Sequence, residues 1–508
     1  MRLRLALAIA ALSGFIALSY EIVWYRVLAV MTRGTAASFG LLLAAYLFGL
    51  AIGSRACARF CTGVAGPEHL RVLAVFVAVA NAIAGLVVPV FAWSAKFTDF
   101  RLGLATVAIG AAFLGSVLPL VSHFGIEPDD RAGSRLSYVY LANIVGSAAG
   151  SLVTGFVLMD AMPLATIARV LVVSGFALAA ALLVLGRSRR PAAYMAVGAA
   201  TALALVVMPR LYDRLWERLI LKNEFDGTQT FQQVVETKSG VITVADDGTV
   251  YGGGAYDGVL NTSLAQNDLN GILRAYIIGA LHPAPREVLM VGLSSGSWAQ
   301  VVAHLPRVEH LTIVEINPGY ADVIARHPEV ASLLTSPKVT IVYDDGRRWL
   351  HRHPDARFDF IVMNTTQHWR AHATNVLSQD FMLLARAHLR EGGILYFNTT
   401  DSYDIQLTAA TTFPFFKRVA NFVAVSDSSF DFDRPRWRAL LETMTIEGKP
   451  VIDTSTDDGK KLASELMAYN DMEWAWSIKD RYEKTKRIVT DDNMVVEWEE
   501  PLRYPHLD

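Results

Sequence analysis

Up to about Met208 the chain is a succession of apolar stretches, each near the length of a membrane crossing, separated by short charged loops. A helix needs about 20 mostly apolar residues to span the hydrocarbon of a bilayer. Seven segments qualify: 5–31, 36–54, 72–93, 102–123, 136–159, 165–186 and 192–208. The first follows a basic start but lacks a small-residue cleavage site, and more spans follow it, so a retained helix is expected rather than a leader peptide. Gly49 and Gly53, and Gly146 and Gly150, repeat at a spacing that lets helix backbones approach closely in lipid. Asn81 and Asn143 read as hydrogen bonds between helices. Glu21 and Arg26 interrupt the first span. They read as an interfacial anchor with Trp24 and Tyr25 as its aromatic belt, in preference to a polar site inside the bundle. The two cysteines, Cys57 and Cys61, share a helix face without a second ligand pair, so no metal site is expected.

Lys and Arg in alternate loops argue orientation. Arg2, Arg4, Arg55, Arg59, Arg71, Arg131, Arg135, Arg187, Arg189 and Arg190 fall on one side, against Arg26, Arg33, Lys96 and Arg101 on the other. The richer set places the N-terminus in the cytoplasm. Seven spans would then put the C-terminal half outside. If 192–208, the shortest span, lies along the membrane, that half is cytoplasmic, the placement that a cytosolic nucleotide-type cofactor favours.

Beyond Met208 the composition becomes that of a soluble domain large enough for its own core. With 53% hydrophobic residues, a net charge of −2 and no basic stripe with interleaved aromatics, the chain excludes nucleic acid as a partner. The expected organisation is a helical membrane domain over 1–208, an amphipathic connector over 209–225, and a small β-rich segment over 226–285. A Rossmann-like α/β domain follows over 286–450, then a C-terminal extension over 451–508. In the α/β part, strands end on Gly292, on Glu315, on Asp344 and Asp345, on Asn364, and on Asn398. Helices between them imply a mainly parallel sheet, whose ligands sit at the carboxyl ends of its strands. Gly292 and Gly296 permit close backbone approach beside a helix N-terminus. Glu315 is placed to accept hydrogen bonds from ribose hydroxyls, and Asp344 or Asp345 from an adenine amino group. Trp298 is expected to pack beneath the glycine loop.

At these residues the domain resembles the spermidine synthase family of polyamine aminopropyltransferases. The resemblance is carried by Phe231-Gln232, Asp247-Gly248, His282-Pro283, Val314 through Pro318, Asp345-Gly346, Phe358-Asp359 and Gly392-Gly393. The membrane half is similar to the helical segment fused to some members, in Tyr20 through Trp24 and Gly49 through Gly53. The resemblance implies an S-adenosylmethionine-dependent transferase fold and decarboxylated S-adenosylmethionine, or S-adenosylmethionine itself, as donor. It places Gln232, Glu315 and Asp345 against that donor, with Gly292, Ser295 and Gly296 in the loop. The departures lie on the acceptor side. Ser295 stands where the family has an acid, Asn364 where it has its catalytic Asp, and Asn270-Gly271-Ile272 where it has Tyr-His-Glu. An amide cannot take a proton from an amine, so the segment from Asn364 to Asn375 reads either as a polar loop closing over the donor or as the source of a replacement base, His368, beside Asn364. His368 and His372, four apart, could share a face on a helix, but no third metal ligand is evident.

Three functions compete: a membrane-anchored transferase of this family acting on a small-molecule acceptor, with a polyamine as one candidate; a methyltransferase acting near the bilayer; and a non-catalytic nucleoside sensor. The lipid bilayer is the expected partner of the helical half, and a homo-oligomer is compatible with the chain.

Overall fold

The computed structural model describes residues 3–61, 67–188, 190–265, 271–364, 367–474 and 487–498. Arg2, Arg189 and Asn270 fall outside them. The described residues form two compact units, one of Met1–Thr230 with Glu236–Val241, the other of Phe231–Val235 with Ile242–Asp508.

The helical unit contains seven helices long and apolar enough to cross a membrane: α1 Leu3–Met31, α2 Ala37–Phe60, α3 His69–Phe97, α4 Arg101–Gly125, α5 Ala132–Ala161, α6 Leu164–Leu185 and α7 Pro191–Leu211. Small residues set the closest contacts. A methyl at Gly53 would stand 1.8 Å from the Ala112 carbonyl oxygen, and one at Gly146 would stand 2.0 Å from that of Ala11. Any side chain at either position would push α2 from α4 or α1 from α5. Large apolar side chains such as Phe48, Phe156 and Leu203 point outward and are exposed, the inverse of a water-soluble helix bundle.

Trp24, expected in an interfacial belt, lies inside the bundle instead. Trp24 is fully buried, stacks on Tyr20 with ring centroids 5.6 Å apart, and donates its indole N–H to the Ala84 carbonyl at 3.3 Å. It is a packing residue of the bundle interior, because its N–H finds a helix carbonyl there. Arg26 donates to the carbonyls of Thr237 and Lys238, at 3.0 and 2.6 Å. Glu236 accepts from the Leu164 amide at 2.7 Å and from the Trp216 indole at 3.0 Å. Asn143 donates to Ala10 and Asn81 accepts from Tyr20, so both asparagines bond between helices as expected.

The other unit begins with a four-stranded sheet in the order β1-β2-β3-β4: β1 Gln233–Thr237, β2 Gly240–Val244, β3 Thr249–Gly252 and β4 Ala255–Val259. A larger sheet follows, built from β5 Glu287–Val291, β6 His310–Glu315, β7 Val339–Tyr343, β8 Phe358–Met363, β9 Leu389–Asn398, β10 Phe415–Val419 and β11 Phe422–Ser426. A short hairpin, β12 Thr445–Ile446 with β13 Lys449–Pro450, stands apart, and β14 Met472–Trp474 returns to the large sheet. Its order is β14-β10-β11-β9-β8-β5-β6-β7. Strands β5 to β9 run parallel, while β11 is antiparallel to both β9 and β10. The order reverses at β5, which places the ligand crevice of a doubly wound sheet beside Gly292. β14 pairs with β10, so the segment past residue 450 completes the sheet rather than standing apart from it. Glu391-Gly392-Gly393 lies within β9, not ahead of it, and the register of β9 against β8 shifts between Phe358 and Phe360.

Candidate active site

The turn after β5 owes its shape to two glycines. Gly292 (φ +91°) and Gly296 (φ +78°) occupy the left-handed region, where a Cβ costs energy. Open space surrounds the position a Gly292 Cβ would take, with no atom within 4 Å, whereas at Gly296 a methyl would meet Ile324 at 2.7 Å. The first glycine thus leaves a bare backbone facing room for a ligand, and the second lets the loop seat on its neighbour. Trp298 lies under the loop, 2% exposed and stacked on Phe422 at 5.0 Å, as a packing residue. Ser295 is buried, its hydroxyl 3.2 Å from that of Ser297, so it closes the turn internally.

Glu315 ends β6 and joins the loop to it. One carboxylate oxygen accepts from the Leu293 amide and the other from the Asn317 amide, both at 2.7 Å. The residue is 4% exposed. Burial raises its pKa to about 7 against the pull of those amides, and the Asp257 charge adds to the rise. Each oxygen keeps a further lone pair, the acceptor capacity a pair of vicinal hydroxyls requires.

The two acids after β7 divide their work. Asp345 is the N-cap of the helix Gly346–Arg352, accepting from the Arg348 amide at 2.7 Å. Asp344 bonds its backbone N–H to the Glu315 carbonyl at 3.0 Å and pairs with Arg348 and Arg352. The Arg348 hydrogen bond holds its carboxyl below the usual range. Gln232 is exposed and donates its amide to the Asp246 carbonyl at 3.2 Å. Its neighbour Gln233 is the buried one, donating at 3.1 Å to the carbonyl of Asp322, on the helix Gly319–Ile324.

Asn364 follows β8, the strand next to β5, and so lies beside the glycine loop on the sheet's carboxyl edge. His368 is 5% exposed, and its Nδ1 meets the Thr400 hydroxyl, which also accepts from the His368 backbone amide at 3.2 Å. Thr400 and Asp401 both take positive φ, +44° and +62°, a strained pair of the kind found at functional edges. His368 and His372 do not share a helix face. The chain there runs in turns, with His372 at φ +68° and its amide bonded to Glu497 at 2.9 Å. No group of metal-ligating residues occurs among the described residues.

Asp257, Tyr320 and Arg370 join the site unforeseen. Asp257, on β4, accepts from the Tyr320 hydroxyl, while the Ser294 hydroxyl donates to the Asp257 carbonyl. Burial raises the Asp257 pKa, opposed by the Tyr320 hydrogen bond and the nearby Arg370 charge. An Asp within a strand is unfavourable on its own, and that was the one local signal.

Residues 275–421, which carry β5 to β10 and the loops between them, match the family model described as the spermine/spermidine synthase domain. The C-terminal region carries a spermine/spermidine synthase domain. A polyamine aminopropyltransferase of Agathobacter rectalis is 31% identical over 119 residues, and one of Streptococcus uberis is 31% identical over 134. The aligned parts span 41% and 46% of those relatives' lengths. Polyamine aminopropyltransferase 2 of Ralstonia nicotianae is 24% identical over 406 residues, covering 76% of each chain. Since the synthase domain and connector cannot supply that length, the match reaches into the helical unit. The solved spermidine synthase of Thermotoga maritima has 14% identity to this chain and covers 49% of it and 87% of itself, with a TM-score of 0.36. A spermidine synthase in complex with the transition-state analogue AdoDATO has 15% identity and the same TM-score, covering 49% and 86%.

Proposed function

We propose that the synthase domain binds a nucleoside sulfonium of the S-adenosylmethionine type and transfers a carbon group from it to an acceptor other than a free diamine. The observation that carries this reading is Glu315. A buried strand-end carboxylate tied to the amide of a glycine loop, beside open space at Gly292, has the form of a ribose holder. Gly292 and Gly296 would give the donor its backbone cradle and Asp345 the acceptor for an adenine amino group. The donor supplies an electrophilic carbon next to a positive sulfur. The acceptor's lone pair attacks that carbon, the carbon–sulfur bond breaks, and the thioether leaves neutral. A proton released by an amine acceptor goes to His368 or to water, since the Asn364 amide cannot hold it.

The relatives' aminopropyl transfer supports the decarboxylated donor. The amide at Asn364 and the guanidinium of Arg370 at the same edge favour a second reading, methyl transfer from intact S-adenosylmethionine. Calorimetry on the full-length protein in detergent tests the shared claim. Either donor should bind, and Glu315→Gln should weaken it; unchanged affinity in that variant would remove the ribose site from this edge.

In this proposal the helical half lies in a membrane with the helix Pro191–Leu211 along it rather than across it, which puts the synthase domain on the cytoplasmic side. Outward-facing Phe48, Phe156 and Leu203 support insertion. Labelling an Asp213→Cys variant in sealed vesicles, with Cys57 and Cys61 replaced by Ala, reads the side; protection from outside labelling of right-side-out vesicles is expected.

A further inference from the structure

Two adjacent glycines at the turn between β3 and β4 back onto opposite charges. A methyl at Gly252 would stand 2.9 Å from an Asp257 carboxylate oxygen, and one at Gly253 would stand 2.9 Å from a terminal nitrogen of Arg370. Gly252, the last residue of β3, has no room for a methyl beside the Tyr320 hydroxyl and Asp257, and Gly253 sits at φ +59°, where a side chain is strained. Asp257 is anchored on one side by the Tyr320 hydroxyl and is tied through its carbonyl to Ser294 of the glycine loop. Ser294 itself sits at φ +51°, so the loop is held in a costly conformation where it meets Asp257. Arg370 is half-buried, and among the described residues its guanidinium makes no hydrogen bond or close ion pair; its charge acts on Asp257 and Tyr320 through space. A planar, always charged group with five donors, partly withdrawn from water and with no acceptor hydrogen-bonded to it, has donors left for a second anion besides the Asp257 charge. Beside it stands a carboxylate suited to a cation.

We propose that Asp257 and Arg370 together recognise an α-amino-acid head group, ammonium on Asp257 and carboxylate on Arg370, and that this group is the tail of intact S-adenosylmethionine. The inference rests on the nucleoside reading of the Glu315 edge. Ser294 connects the couple to the loop whose Leu293 amide Glu315 holds, so a nucleoside lying over Gly292 would direct its tail toward Asp257. A decarboxylated tail carries the ammonium alone. It would leave Arg370 unmatched and place two cations side by side.

The test is calorimetry on the detergent-solubilised full-length protein with S-adenosylmethionine, its decarboxylated form, and methylthioadenosine, which has no amino-acid tail. The expected result is a preference of about tenfold or more for the carboxylated donor, the size of a charge-assisted contact. Arg370→Met should abolish the preference without changing methylthioadenosine affinity, and Arg370→Lys should keep part of it. Unchanged methylthioadenosine binding also shows that the variants fold. Preference for the decarboxylated donor would overturn the inference and leave the nucleoside site standing. Failure of all three ligands to bind would overturn the nucleoside reading and this inference with it. Equal binding of the two donors, with alanine binding to the methylthioadenosine-loaded protein and lost in Arg370→Met, would move the couple to an amino-acid acceptor and overturn the donor assignment.

Discussion

The two ends of the sheet's carboxyl edge are built differently. Around Glu315 the polar contacts are made by backbone: two amides on one carboxylate, a strand carbonyl on the Asp344 amide, and glycines whose positive φ shapes the loop. Around Asn364 the contacts are made by side chains: His368 on Thr400, with Thr400 and Asp401 held at positive φ without the freedom of glycine. A backbone-built end depends on the fold and tolerates little change at its few acids. A side-chain-built end can be rewritten residue by residue while the fold persists. On the proposed reading, a synthase domain can in this way keep a nucleoside edge while its acceptor side changes.

The comparison is broken most readily at the acceptor end. Putrescine should be a poor acceptor, because a doubly charged diamine meets the amide of Asn364 where a base would be needed. General base catalysis is worth about 10²–10⁴-fold, so spermidine formation by the wild type should be a trace, and Asn364→Asp should raise it. Robust wild-type formation, measured chromatographically with the decarboxylated donor, would erase the contrast; loss of residual activity in His368→Ala would identify the imidazole as base. At the backbone-built end, Glu315→Gln should cost roughly 1.5–3 kcal/mol of donor binding, about 10- to 150-fold in affinity.

A pH series sharpens the same point. With its carboxyl raised to about 7 by burial, Glu315 loses its charge as pH falls below neutrality. A donor that needs the charged form should then bind up to about tenfold more weakly per pH unit, a dependence absent in Glu315→Gln. The ligand-free protein should show the opposite trend. A carboxyl whose folded pKa is raised contributes stability fully present below its unfolded value of about 4.3, and this is lost as pH rises through about 7. Thermal melts with and without donor would display the crossing. The smallest effect belongs to Thr400→Gly. Relief of the positive φ and loss of the hydroxyl under His368 should offset to within about 1 kcal/mol, while imidazole NMR signals broaden. A much larger loss of stability would mean that Thr400 supports the fold rather than the histidine.

Much of the backbone-built end was legible in the sequence, because its signals are local: an apolar strand, a glycine turn, an acid at the next strand's end. The seven apolar helices were legible for the same reason. Gln232 and Gln233 show where legibility fails. Gln232 precedes β1 and is exposed, whereas Gln233 opens the strand and is buried. Asp257, Tyr320 and Arg370 come from three separate segments, so neither period nor spacing links them. Trp24 was misplaced because an aromatic beside charges in a span looks the same at an interface as inside a bundle. Its indole partner, the Ala84 carbonyl, lies 60 residues away.

The hairpin tip at Glu236–Val241 groups with the helices although the strands leading into and out of it continue in the other unit. The chain therefore leaves the helical unit, returns for a few residues, and leaves again. A single genetic cut near residue 209 would divide the linear sequence but not the architecture. The severed fragment would carry Glu236 without the Leu164 amide, and the helices would keep an Arg26 stripped of its carbonyls. For the experimenter, the unit of study is the whole chain.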